Sequence, residues 1–466
     1  MKELLLSFQD NSPKYKQIYH FIRELIENGE LRANTHLPSI RQLADLLHVS
    51  RNTTLVAYEQ LLAEGFIRSD SRRGYYVEDF ENTDIHVSRS QQQTEQIREA
   101  TRDRAPFIDF RIGGVDAEAF PLKAWRRCTN KVLQEASTYV YGDRQGDPYL
   151  REQIAGYLLQ SRGIRTHADS IVIGSSMQHL LLHLSILLKS EGFSSLAVEN
   201  PGYDGARTVF GLQGFQLEPI GVSPKGLIIE QLEHTKARLA YITPSHHFPT
   251  GVTMPMYKRH QLLKWASDRS GYIIEDDYDS EFRYKQKPIP ALSSLQQNDS
   301  VIYVSTFSKS FLPSIRLSYM ILPPKLLDKY KMLFAAMEQA ASGIHQRTMA
   351  YFMEGGFWDS HVRKMRALYK RKMNTLVTAF SEVFGDTVQV IGADSGLYVL
   401  IRPQLHKKES ELIKQALSCG VKVYPTSHYY MNNPPNGPQL QVGISNITEE
   451  NIRTGAKLLQ KAWISS

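Results

Sequence analysis

Five short apolar runs, at 170–174, 195–199, 239–243, 272–275 and 301–304, constrain the fold of this chain more than any other feature. They are rich in β-branched and aromatic residues, are bounded by turn residues, and are separated by stretches of helical periodicity. Continuous apolar strands interleaved with helices predict an α/β architecture: a mostly parallel sheet covered on both faces. A length of 466 residues exceeds one comfortable core, and 42% hydrophobic content is ample for two or more.

The last of these strands runs into a polar turn, Ser305 to Ser310, which holds Lys309, with Arg316 beyond. The carboxyl ends of strands are where α/β sheets hold ligands. A lysine buried there as a cation is costly, so it should have a depressed pKa or be covalently occupied, and a Schiff base to an aldehyde cofactor does the latter. Ser305, Ser308 and Arg316 would then clamp a phosphate. Ser175 and Ser176, at the start of an apolar helix, offer backbone N–H groups to the same anion. The spacing Ser-x-x-Ser-Lys, with Arg seven residues on, resembles the pyridoxal 5'-phosphate lysine signature of fold-type I aminotransferases.

That resemblance implies roles for further residues. Tyr203, in Glu199 to Arg207, would stack over the pyridine ring. After the strand at 272–275, Asp276 would hold the pyridine nitrogen protonated and Tyr278 would meet the phenolic oxygen; the spacing fits either Asp276-x-Tyr278 or Glu275-x-x-Tyr278, and Asp276 is the choice. Tyr141 resembles the tyrosine that reaches the partner subunit's phosphate. Two positions depart from the enzymes. Phe248 stands where an asparagine would touch the cofactor oxygen, leaving His246 or His247 as replacements, and Gln441 stands where an arginine would take a ligand α-carboxylate, leaving Arg207 or His428.

The amino-terminal segment is organised differently. Residues 14–27 carry Ile18, Phe21, Ile22 and Leu25 on one helical face, Ser39 caps a second helix, and Ser50 caps a third with an expected buried face of Leu55, Tyr58, Leu61 and Leu62. Strands at 66–68 and 75–77 flank a basic turn and read as a wing. The segment 37–67 resembles the GntR-type winged helix. A recognition helix enters the major groove amino end first, so Arg51, Asn52 and Thr53 are the candidate base readers, with Ser39, Arg41, Ser50, Arg72 and Arg73 toward the backbone. Residues 1–77 hold ten Lys and Arg against nine Asp and Glu, so any footprint on DNA must be local.

The domain reading is 1–78 winged helix, 79–105 linker and 106–466 aminotransferase-like unit, the linker being poor in large apolar residues. The whole chain resembles the MocR/GabR family, which implies a regulator of transcription on double-stranded DNA, a head-to-tail homodimer, and an amine or amino acid effector that displaces Lys309 to form an external aldimine. The rival reading is a working aminotransferase with a fused DNA domain; Phe248 and Gln441 weigh against it. No run of eighteen apolar residues occurs, and two distant cysteines, Cys128 and Cys419, give no metal or disulfide pattern, so a cytoplasmic protein without bound metal is expected. A net charge of +7 permits an anionic partner without requiring one.

Overall fold

The structure, a computed structural model, describes residues 6, 8, 12–70, 73–79, 107–285, 289–296, 298–432, 434–435 and 437–464. The chain divides into two compact units, Met1–Asp103 and Arg104–Ser466. Of the expected linker, only Asp79 and the start of the second unit's flank fall near described residues; 80–106 lie outside them. Among the described residues no helix is long and apolar enough to cross a membrane.

The first unit has helices α1 (Lys14–Glu27), α2 (Ile40–Leu46) and α3 (Arg51–Ala63) and strands β1 (His36–Leu37), β2 (Ile67–Asp70) and β3 (Gly74–Val77), the strands ordered β1-β3-β2. Ser39 and Gln42 close a reciprocal capping box that starts α2, and the Ser50 hydroxyl accepts from Thr53 N at 3.1 Å to start α3. The buried face of α3 is Thr54, Ala57, Tyr58 and Leu61, which corrects the expected one: Leu55 and Leu62 are only half-buried. The small side chains Thr54 and Ala57 permit close packing, and the Tyr58 hydroxyl donates to the Pro38 carbonyl at 2.8 Å. Apolar periodicity favoured the larger leucines and missed this.

In the second unit the strands are β4 (Ile108–Asp109), β5 (Ile171–Gly174), β6 (Ser195–Asn200), β7 (Gln216–Ser223), β8 (Gly226–Leu227), β9 (Leu239–Ile242), β10 (Tyr272–Asp276), β11 (Val301–Thr306), β12 (Ser318–Ile321), β13 (Val388–Ile391), β14 (Tyr398–Pro403), β15 (Val421–Lys422), β16 (Tyr424–Pro425) and β17 (Leu440–Gly443). Eight of them form one sheet, ordered β5-β12-β11-β10-β9-β6-β7-β8. The inner pairs β11–β10, β10–β9, β9–β6 and β6–β7 are parallel, whereas β12 is antiparallel to both β11 and β5. Alternation decides the two faces. Val172, Ile302 and Met320 meet Leu180, Leu184 and Leu187 of helix α4 (Met177–Ser190), while Ile171, Ile173, Tyr303 and Tyr319 meet Leu150, Ile154 and Leu158. Each such leucine contributes about 1.5–3 kcal/mol of burial. A second, antiparallel sheet, β13-β14-β17-β16, has its own core around Val399, Ile401, Leu440 and Val442.

Candidate functional site

Strand parity assembles the site. Val304 pairs with Asp276 across β11 and β10, and Tyr241 lies opposite Ile274, two residues before Asp276 on the same face. Asp276 and Thr306 therefore emerge together on one face of the sheet, at its carboxyl end, where Lys309 follows in the turn. Glu275 and Asp277 emerge on the other face. Glu275 accepts from Leu292 N at 2.8 Å and Ser293 N at 2.9 Å, capping a short helix, and Asp277 is held by Arg162 Nε at 2.8 Å, Tyr303 at 2.7 Å and Ser280 at 2.9 Å. Of the two spacings open in the sequence, Asp276-x-Tyr278 is the one that reaches the cavity.

The same parity removes one expected residue. Ser305 lies on the face away from the cavity, and its hydroxyl donates to the Asp277 carbonyl at 2.8 Å; the neighbouring Thr306 lines the cavity instead. Ser308 and Lys309 follow in the turn, half-buried. Arg316 is exposed, in the left-handed conformation (φ 54°, ψ 50°), with no hydrogen-bond or ion-pair partner among the described residues. Ser176 caps α4 by accepting from His179 N at 3.1 Å, which leaves its O–H to donate to an anion beside the helix amides.

The cavity holds ≈ 250 Å³. Lys309 and Asp276 share it with Tyr203, Tyr278, Asp279 and Phe248. Burial lowers the Lys309 amine pKa against the opposing pull of Asp279 and Asp276. Burial likewise pushes the Asp276 carboxyl up to about 7, although the Tyr241 hydroxyl donates to one of its oxygens. The other oxygen, Oδ1, is buried without a partner. Gly113 faces the lysine: a Cβ there would lie 2.7 Å from Lys309 Nζ.

Three expectations for the ligand side are corrected. His246 and His247 stand behind the cavity: His246 Nδ1 lies 2.8 Å from Asp279 Oδ2 and 3.1 Å from the Tyr278 hydroxyl, and His247 Nδ1 lies 2.6 Å from Thr250 Oγ1. The Arg207 guanidinium, on helix α5 (Asp204–Leu212), donates to the carbonyls of Tyr429 at 3.0 Å and His428 at 2.9 Å. It clasps a loop instead of facing the cavity. The His428 side chain is exposed, and it is Tyr429 that lines the wall. Asn200 adds to the clasp by accepting from Met431 N at 2.8 Å.

Sequence reasoning missed Gly113, Tyr241, Thr306, Tyr398 and Tyr429. Tyr241 and Thr306 were within reach of strand parity, and the Gly113-Gly114 pair marked a close approach. Tyr398 and Tyr429 arrive from the carboxyl-terminal sheet and its loop, which no local pattern places. Tyr141 is 90% exposed.

In the first unit Arg51 and Asn52 are exposed in the first turn of α3, without partners among the described residues, and Arg41 and Arg73 are also exposed. The Ser39 and Ser50 hydroxyls accept helix N–H groups at the caps of α2 and α3, and Thr53 Oγ1 lies 2.8 Å from Ser50 Oγ. Arg72 lies outside the described residues.

Comparison with known proteins agrees with both units. Residues 14–77 match the bacterial regulatory proteins of the gntR family, and residues 106–459 match the class I and II aminotransferases. The chain belongs to the MocR/GabR family of transcriptional regulators. It is 38% identical over 453 residues to the uncharacterized HTH-type transcriptional regulator YdeL of Bacillus subtilis, covering 97% of each chain. It is 30% identical to the probable rhizopine catabolism regulatory protein MocR of Rhizobium meliloti, covering 99% of this chain and 96% of that one. In fold, an archaeal alanine:glyoxylate aminotransferase superposes with a TM-score of 0.73 at 23% identity, over 80% of this chain and 94% of that one.

A MocR/GabR-type regulator binds DNA through its winged helix and pyridoxal phosphate through its aminotransferase-like unit. The residues present fit that cofactor: a cavity lysine of lowered basicity, Asp276 Oδ1, without a partner among the described residues, as acceptor for a ring N–H, and a glycine where a side chain would strike the lysine.

Proposed function

We propose that this regulator senses a small amine-bearing effector at Lys309 and converts that chemistry into a change in DNA binding. The observation that carries the reading is Lys309 set beside a half-satisfied buried carboxylate, in one chain with a winged helix whose leading residues are free. Pyridoxal phosphate, when bound, supplies an aldehyde carbon at which one primary amine can replace another. Lys309 is the resident amine, and burial lowers its basicity. Asp276, oriented by Tyr241, accepts the ring N–H; Tyr278 offers its hydroxyl; Tyr203 covers the ring; Arg316, Ser308 and the α4 amides take the phosphate. Arg51 and Asn52 are the base readers, guanine and adenine being their natural partners.

The working form is a head-to-tail homodimer acting in the cytoplasm, with the exposed Tyr141 completing the partner's phosphate site. An effector shifts the dimer between arrangements only so far as it favours one of them. The purified protein should be yellow, and Lys309→Ala should abolish the absorbance band of the lysine-bound cofactor. A colourless protein that takes up no added pyridoxal phosphate would overturn the reading.

A further inference from the structure

An α-amino acid brings a carboxylate wherever it brings its amine, and burying that anion calls for a cation or a set of donors beside it. The cavity is built the other way. Among the described residues its lining carries three acidic side chains, Asp204, Asp276 and Asp279, against one basic side chain, Lys309. Arg207, the arginine expected to face the ligand, has both terminal nitrogens committed to the carbonyls of Tyr429 and His428.

The carboxyl-terminal sheet supplies no replacement. Gln441 pairs with Leu400, and Tyr398 with Gly443, so Gln441 lies on the sheet face that carries the cavity tyrosine Tyr398. It is fully buried and neutral, and among the described residues neither its amide oxygen nor its amide nitrogen has a partner. The rest of the lining carries no charge: it is the hydroxyls of Thr243, Thr306 and four tyrosines together with ring and hydrocarbon, Phe248 standing edge-on to Tyr429 at 4.7 Å and to Tyr398 at 5.8 Å. Such walls reward an apolar body and offer an anion neutral hydroxyls but no cation to pair with.

We propose that the effector is a primary amine bearing no carboxylate, an alkyl- or arylalkylamine held by its hydrocarbon body against Phe248, Tyr398 and Tyr429. This rests on the sensor reading above and deepens it. The amine end supplies the reactive nitrogen, and its ammonium form is drawn to the cavity by the same aspartates that repel a carboxylate. Gln441 acts as a specificity residue by withholding charge.

The test uses the full chain loaded with pyridoxal phosphate and matched pairs that differ only by the carboxylate: 3-methylbutylamine with leucine, 2-phenylethylamine with phenylalanine, 1,5-diaminopentane with lysine. Cofactor absorbance and the thermal midpoint are followed in each titration. At least one amine should act at a concentration tenfold or more below its amino acid, and Gln441→Arg, checked for folding by its own midpoint, should narrow that ratio at least tenfold. Amino acids acting as well as or better than their amines would overturn the carboxylate-free class while leaving the sensor reading standing. No response to any of the six would overturn both.

Discussion

At the residue scale, Asp276 carries a consequence in pH. Burial raises its pKa from an ordinary 3.8 to about 7, so the folded protein keeps that proton to higher pH than the unfolded chain. The stability tied to it is complete below about pH 4 and is lost as pH rises through about 7, by up to roughly 4 kcal/mol. Glu199, pushed up to about 8 by burial, acts in the same sense. Thermal midpoints of the cofactor-free protein should therefore fall between pH 4 and 8, and Asp276→Asn should flatten part of that fall; an unchanged slope would show that Asp276 is not buried as a carboxylic acid. Much of this site was legible in the sequence, because Lys309, Asp276, Tyr278 and Tyr203 sit in runs where turn and strand adjoin. Ser305 was misread because consecutive strand residues point to opposite faces, and a spacing rule that counts along the chain ignores which face each residue takes.

At the scale of elements, the recognition helix and the wing should fail differently. Arg51→Ala, at the leading turn of α3, should cost about 1–3 kcal/mol of specific affinity and relax the base preference. Arg73→Ala, in the turn before β3, should weaken all sequences alike and reduce the salt slope by about one unit. Titrations against an operator and a scrambled duplex at several salt concentrations separate the two. Ser50→Ala should destabilise the first unit by about 1 kcal/mol, since the N–H of Thr53 loses its acceptor. Helix boundaries here were legible from caps, with α1 falling at Lys14–Glu27 as the periodicity predicts. The antiparallel β12 and the carboxyl-terminal sheet were not, because short strands take their partners from distant sequence and carry little periodicity of their own.

At the scale of the whole molecule, the two units have separate cores, so calorimetry should resolve two unfolding transitions. Added pyridoxal phosphate should raise only the one that belongs to the second unit; a single transition that moves as a whole would contradict this. Turnover should be slight. Transamination requires the ligand held in one orientation to the ring, and Gln441 supplies no charge to anchor a ligand carboxylate while Phe248 supplies no hydrogen bond to the cofactor oxygen. Keto acid formation from common amino acids should stay at trace level over many minutes, and rapid multiple turnover would make the protein an aminotransferase.

Tyr429 is delivered by a loop next to the carboxyl-terminal sheet, yet Arg207 and Asn200, which hold that loop, stand on the eight-stranded side. The cavity is thus a seam between two cores, and an amine that favours one setting of that seam is, by thermodynamic reciprocity, held more tightly by whatever else favours the same setting. Loosening the Arg207 clasp would therefore change the regulator's sensitivity through the backbone that carries Tyr429, with no side chain that meets the amine replaced.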